Sequence, residues 1–203
     1  VKQVNVSSMD QLYGFLEKYT SVEFVDLRDV LINGKDRARD YWPEGAAEAR
    51  LHWKTDSHWN SGGADIAQYE VAGRMEKMLP GLISPRQRPK KDFQMIPITG
   101  DLASLMNDKS LYGEKGPVIF EGVCSPATRK DYQLRHHVTS CDEGKVNALI
   151  FHDSFFTALK PFFADYFAKT VFLWERMNQA ALLENIPRYR PAIVIEQLAE
   201  RFL

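Results

Sequence analysis

A hydroxyl, an imidazole and a carboxylate lie in two short segments of the chain, TDSHW at 55–59 and HDSFF at 152–156. These three groups together can carry out acyl transfer. A serine attacks an ester, a histidine takes its proton, and an aspartate holds the histidine in the productive tautomer. Ser154 would be the nucleophile, His58 the base and Asp56 the orienting residue. Ser154 follows the apolar run NALIF at 147–151 and precedes an amphipathic stretch reaching about 168. A serine between a strand and a helix sits where α/β folds gather functional groups, with its own N–H at a helix start that favours an oxyanion. The pattern resembles a nucleophile elbow without GxSxG. A plainer role stays open for both segments: Asp153 or Ser154 can cap the following helix, and a DxH pair ahead of Gly62-Gly63 can be an ordinary helix-start loop.

Other side chains frame these candidates. Trp59 and Phe155 can stack on a sugar ring, although aromatic packing is the commoner role for Trp53 and Trp59. His52, Asp56 and His58 have a ligand-like HxxxDxH spacing that is not diagnostic, and neither metal nor cofactor is expected. His136 and His137 fall in the polar stretch 122–146 and are expected at the surface. His152 could line the site. Arg201, paired with Glu200 near the C-terminus, is a candidate for shaping it, with a solvent-exposed ion pair as the alternative. Cys124 and Cys141 bracket a polar segment and form either a disulfide or two separate thiols.

Periodicity supplies the elements that must position these residues. Ser8 and Gln11 suggest a capping box for a helix over 9–19, and VEFVDL at 22–27 reads as a strand. A short helix is expected near 44–50, and a longer one from 63 to 79. Strands are expected at 93–98, 117–121, 147–151, 170–174 and 192–198, with helices at LASLM, 155–168 and 178–185. Strands alternating with helices predict an α/β fold with a mostly parallel sheet, and 203 residues suit one domain.

The net charge of −1 argues against nucleic acid or an anionic membrane as a partner. The basic run Arg86, Arg88, Lys90, Lys91 reads as a solvated loop. No apolar stretch approaches the ~20 residues that cross a bilayer.

The segments KTDSHWNSGGA, GDLASLM, FHDSFFTALKPFFADYF and RPAIVIEQLAERFL, with VDLRDVL upstream, occur in an order that resembles the SGNH-hydrolase-like domain of the AlgJ/AlgX-type alginate O-acetyltransferases. The resemblance runs from about residue 8 to the end. It implies a three-layer α/β/α fold with permuted motif order, because Asp56 and His58 precede Ser154. It also implies transfer of O-acetyl groups to an exported polysaccharide in a Gram-negative periplasm, with an acetyl-serine intermediate. A membrane-bound acyltransferase is then a candidate partner, and an export or anchor segment is expected ahead of the domain. Hydrolysis by water, or a polysaccharide-binding role without chemistry, are the alternatives. Position 152 is His where Gly or Arg is expected, and the oxyanion Gly and Asn cannot be placed. The low net charge favours a neutral or weakly charged acceptor over a polyuronate, unless Arg129, Lys130 and Arg135 build a local cationic groove.

Overall fold

The computed structural model describes residues 6–105, 113–119, 122–124 and 134–199. Its central feature is a four-stranded sheet built from β3 (His136–Ser140), β4 (Asn147–His152), β5 (Lys169–Leu173) and β6 (Ile193–Gln197). The order is β3-β5-β4-β6; β4 runs parallel to both neighbours, and β3 is antiparallel to β5. The expected α/β class with a mostly parallel sheet is what forms.

Side-chain alternation along β4 and β5 explains the layers. Ala148, Ile150 and Phe172 face one core with Phe156, Phe163 and residues of α3 (Ser61–Met78). Leu149, Phe151, Val171 and Leu173 face the other, against Ala181 and Leu182 of α5 (Gln179–Tyr189). A strand covered on both faces must be apolar throughout, which is why NALIF has no polar alternation. Truncating Phe151, which is fully buried, to Ala would cost about 3–5 kcal/mol. A second, two-stranded antiparallel sheet pairs β1 (Gln94–Ile98) with β2 (Glu114–Val118).

Several elements differ from the sequence expectations. The capping box at α1 (Ser8–Tyr19) begins one residue earlier, with Ser7 and Asp10 bonded reciprocally. VEFVDL forms no strand, because among the described residues no neighbouring backbone pairs with it. Its Phe24 packs on Tyr13 of α1 instead, and Arg28 ties Asp26 to Asp10. Helix near 44–50 is absent; α2 (Arg28–Asn33) and a 3-10 segment, Gly34–Tyr41, come earlier. The stretch after Ser154 is a 3-10 turn, Ser154–Ala158, followed by the single-turn α4 (Lys160–Phe163). Residues 159–164 are buried on all sides, so no polar face exists to make the segment an amphipathic surface helix. Even Lys160 is buried there, its ammonium over the Phe172 and Trp174 rings, and burial brings its pKa down to about 8.

Strand β3 has no counterpart in the expectations. Its sequence HHVTS is polar, yet it alternates strictly, with His137 and Thr139 turned inward. The expected surface placement therefore holds for His136 and fails for His137. The basic run is only partly a solvated loop, since Arg88 is enclosed and paired with Asp165 and Asp92. Asp165 also accepts the backbone N–H groups of Val123 and Cys124. This places Cys124 beside Cys141, and the two form a disulfide with Cα atoms 4.9 Å apart.

The disulfide closes a loop with a sequence separation of 17, and its main contribution is to restrict the unfolded chain. Reduction, or Cys124→Ser with Cys141→Ser, is expected to lower unfolding stability by about 3 kcal/mol in a urea titration. An unchanged midpoint would show that the cross-link is not stabilising.

Candidate active site

Two loops meet at the carboxyl edge of β4. The first is the tip of a hairpin-like excursion closed by an antiparallel bridge between His52 and Trp59. Trp53 donates its N–H to the His58 carbonyl (3.2 Å), and Asn60 donates to the Leu51 carbonyl (2.9 Å). Asn60 then caps α3, its Oδ1 accepting from Gly62 and Gly63. Gly63 is required at this point because a Cβ would overlap the Leu51 carbonyl. The capping role considered for Asp56 thus belongs to Asn60, and the Asp56 carboxylate is left for other partners.

The second loop follows β4. Asp153 accepts from the Phe155 N–H (2.8 Å) and from the Ala199 N–H just beyond β6 (2.6 Å). Asp153 is therefore the cap of the turn, which resolves the ambiguity between it and Ser154. The Ser154 hydroxyl instead meets His58 Nε2 at 2.8 Å. On the opposite side of the ring, His58 Nδ1 lies 2.5 Å from Asp56 Oδ1, which also accepts the His58 backbone N–H (2.9 Å). An ionised carboxylate only accepts, so Nδ1 carries the proton and the Nε2 lone pair faces the serine hydroxyl. The structure thus brings together the three residues singled out from the sequence, 96 positions apart between base and hydroxyl.

The aromatic candidates take different places. Trp59 is only 6% exposed; its ring lies edge-on to Phe155 and its indole N–H donates to the Phe155 carbonyl (2.9 Å). The sugar-stacking role expected of Trp59 does not fit this burial, and the residue instead pins one loop to the other. Phe155 is half-buried and tilts over the His58 ring, centroids 4.5 Å apart. Arg201 lies outside the described residues, as do Arg129 and Lys130; Arg135 is exposed. His52 does not join a ligand cluster. Among the described residues the grouping that could hold a cation is Asp56, His58 and Asp101. Both His58 nitrogens are engaged there, Nδ1 by the Asp56 carboxylate and Nε2 by the Ser154 hydroxyl.

Gly100 and Asp101 were not among the site candidates, GDLASLM having been read only as a short helix and as part of the resemblance. The turn they begin lies directly behind TDSH. Ala103 N–H bonds the Thr55 carbonyl (3.0 Å), and a Cβ at position 100 would overlap that same carbonyl and the Asp56 Cβ. Glu114 of β2 anchors the start of the loop through the backbone N–H groups of Lys54 and Thr55. A glycine-aspartate step opening a turn was the available signal; its partners, 44 and 45 residues away, were not visible.

No family model matches the sequence, and no curated protein matches it. Solved structures are similar in fold at low identity. PatB1 of Bacillus cereus superposes with a TM-score of 0.61 at 16% identity, over 95% of this chain and 74% of that one. A second structure of PatB1, with a sulfonyl adduct, gives 0.63 at 15% identity over 95% and 73%. The O-acetyltransferase domain of Pseudomonas putida AlgJ gives 0.52 at 16% identity over 99% and 69%. The chain therefore has the AlgJ-like α/β fold that its motifs led one to expect.

His152, the residue before the turn, does not line an open site. It is 1% exposed, donates Nδ1–H to the Asp153 carbonyl (2.7 Å), and is enclosed by Phe156, Phe172 and Trp174. Burial first, then the charge of Lys160, push its pKa down to about 4 despite that hydrogen bond. An unfolded histidine titrates near ~6.5, so between the two values the unfolded chain binds a proton that the folded chain refuses. Stability is expected to fall as pH drops from about 6.5 toward 4. His152→Gln should flatten that dependence, read from urea midpoints at neutral pH and at about pH 5. An equal acid sensitivity in the variant would assign the effect to another group.

Proposed function

We propose that the protein is a serine O-acetyltransferase that modifies a polysaccharide through an acetyl-serine intermediate. The observation that carries this reading is the single imidazole engaged at once by the Asp56 carboxylate and the Ser154 hydroxyl. His58 takes the Ser154 proton as Oγ bonds to the acetyl carbon. The donor's C–O bond then breaks, and the proton passes to the departing oxygen. A sugar hydroxyl next gives its proton to His58, attacks the acetyl-serine, and Ser154 recovers a proton as its ester breaks. Asp56 stays ionised and stabilises the imidazolium formed in each half. The Ser154 N–H, in the turn after β4, is the oxyanion donor this reading names, and one such donor contributes about 3 kcal/mol to the transition state.

Support for the acetyl group comes from the fold shared with the AlgJ O-acetyltransferase domain. The sulfonyl adduct carried by a protein of the same fold is also in keeping with an activated hydroxyl. The proposed acceptor is a neutral or weakly charged polysaccharide, given the net charge of −1. A periplasmic setting suits an exported polymer and agrees with the disulfide. A membrane-bound acyltransferase is proposed as the source of the acetyl group; among the described residues no helix is long and apolar enough to cross a membrane.

Ser154→Ala, checked for folding by circular dichroism, is expected to lose turnover of a chromogenic acetyl ester to background. Asp56→Asn should lower kcat by about 10³–10⁴-fold, because its amide favours the wrong His58 tautomer. Wild-type turnover in a folded Ser154→Ala protein would overturn the proposal.

A further inference from the structure

Asp56 alone does not account for how firmly the base is held. Its Oδ1 accepts both the His58 backbone N–H and Nδ1, which leaves Oδ2 to fix the rotation of the carboxylate. Oδ2 receives the backbone N–H of Asp101 at 2.9 Å. The Asp101 side chain in turn takes the residue between Asp56 and His58: Ser57 N–H donates to Oδ1 (2.7 Å) and Ser57 Oγ to Oδ2 (2.5 Å). Asp101 Oδ2 also lies 3.7 Å from His58 Nδ1. The turn that follows is closed by Ser104 N–H on the Gly100 carbonyl, and the Asp101 carboxylate, besides the Leu102 N–H of that turn, reaches across to the loop carrying His58.

We propose that Asp101 is a positioning residue of the active site, a second carboxylate that locks Asp56 through its amide and places a further negative charge beside the His58 imidazole. The proposal rests on the acyl-transfer reading of Ser154. Its charge acts where positive charge develops, since His58 becomes an imidazolium on accepting the serine proton. Among the described residues, the charged groups against the ring are Asp56 from its own loop and Asp101 from the turn after β1; the nucleophile turn contributes the uncharged Phe155. The Asp101 carboxyl is itself held below its ordinary range. Burial acts to raise it, but the Ser57 hydroxyl and amide and the charge of His58 outweigh that effect. It is thus ionised when the base works. Its side chain is 46% exposed, so its influence is screened and smaller than that of Asp56.

The test is ester turnover by the full chain across the neutral range, for wild type, Asp101→Asn and Asp101→Glu. Asp101→Asn keeps the backbone N–H on Asp56 and removes the charge. It is expected to lower kcat roughly 10-fold with KM unchanged, and to move the acidic limb of the rate profile about half a unit to lower pH. Asp101→Glu should restore the limb and most of the rate. A loss of kcat with the limb unmoved, or a rise in KM instead, would overturn the proposal by showing a merely structural role. A wild type inert toward the ester would overturn the acyl-transfer reading and this proposal with it, an outcome distinct from an active enzyme indifferent to Asp101→Asn.

Discussion

A histidine can serve a hydroxyl only if one ring nitrogen is tied down as a donor and the other is brought within hydrogen-bond reach of the oxygen. In this chain the two requirements are met by segments far apart in sequence, Asp56 on one side and Ser154 on the other, with distances of 2.5 and 2.8 Å. Much of the surrounding architecture follows from that constraint. Parallel strand β4 ends at His152 and delivers Ser154 to the sheet edge, and Asp153 fixes the turn by bonding to Phe155 and to Ala199 beyond the neighbouring strand. His58 arrives on a loop clamped by its own bridge, by Glu114 of the small sheet and by the turn at Gly100.

The contacts between the two loops are of different kinds. Trp59 joins them by a buried hydrogen bond, and Phe155 covers the imidazole. The ring therefore has one face against an aromatic surface and both nitrogens engaged, which leaves it little rotational freedom. For the acyl transfer proposed above, fixing the groups before substrate arrives would avoid reorganisation during the reaction.

The parts of this arrangement legible in the sequence were those whose chemistry is local. DSH and DSF carry the reactive types, and NALIF, TVFLW and AIVIEQL are apolar because the parallel strands they form lie in the layered core. VEFVDL has the same strand composition but finds no pairing partner, so composition alone misled. HHVTS shows the converse: a polar strand whose alternation places His137 and Thr139 inward and escapes any count of apolar residues. The segment carrying Asp101 read as the start of a short helix, LASLM, but its role depends on hydrogen bonds to residues 44 and 45 positions away, which periodicity cannot encode. Likewise, the choice between Asp153 and Ser154 as the cap was decided by the Phe155 and Ala199 N–H groups on Asp153, with the Ser154 hydroxyl turned to His58.

The central claim is that Ser154 carries the acyl group during turnover. The direct measurement is mass spectrometry of the protein quenched in acid soon after mixing with an acetyl ester, followed by peptide mapping. One added acetyl group is expected on the hydroxyl of Ser154, formed in the wild type and absent from His58→Ala. Turnover without any acylated enzyme, or with the acetyl group on a residue other than Ser154, would contradict it.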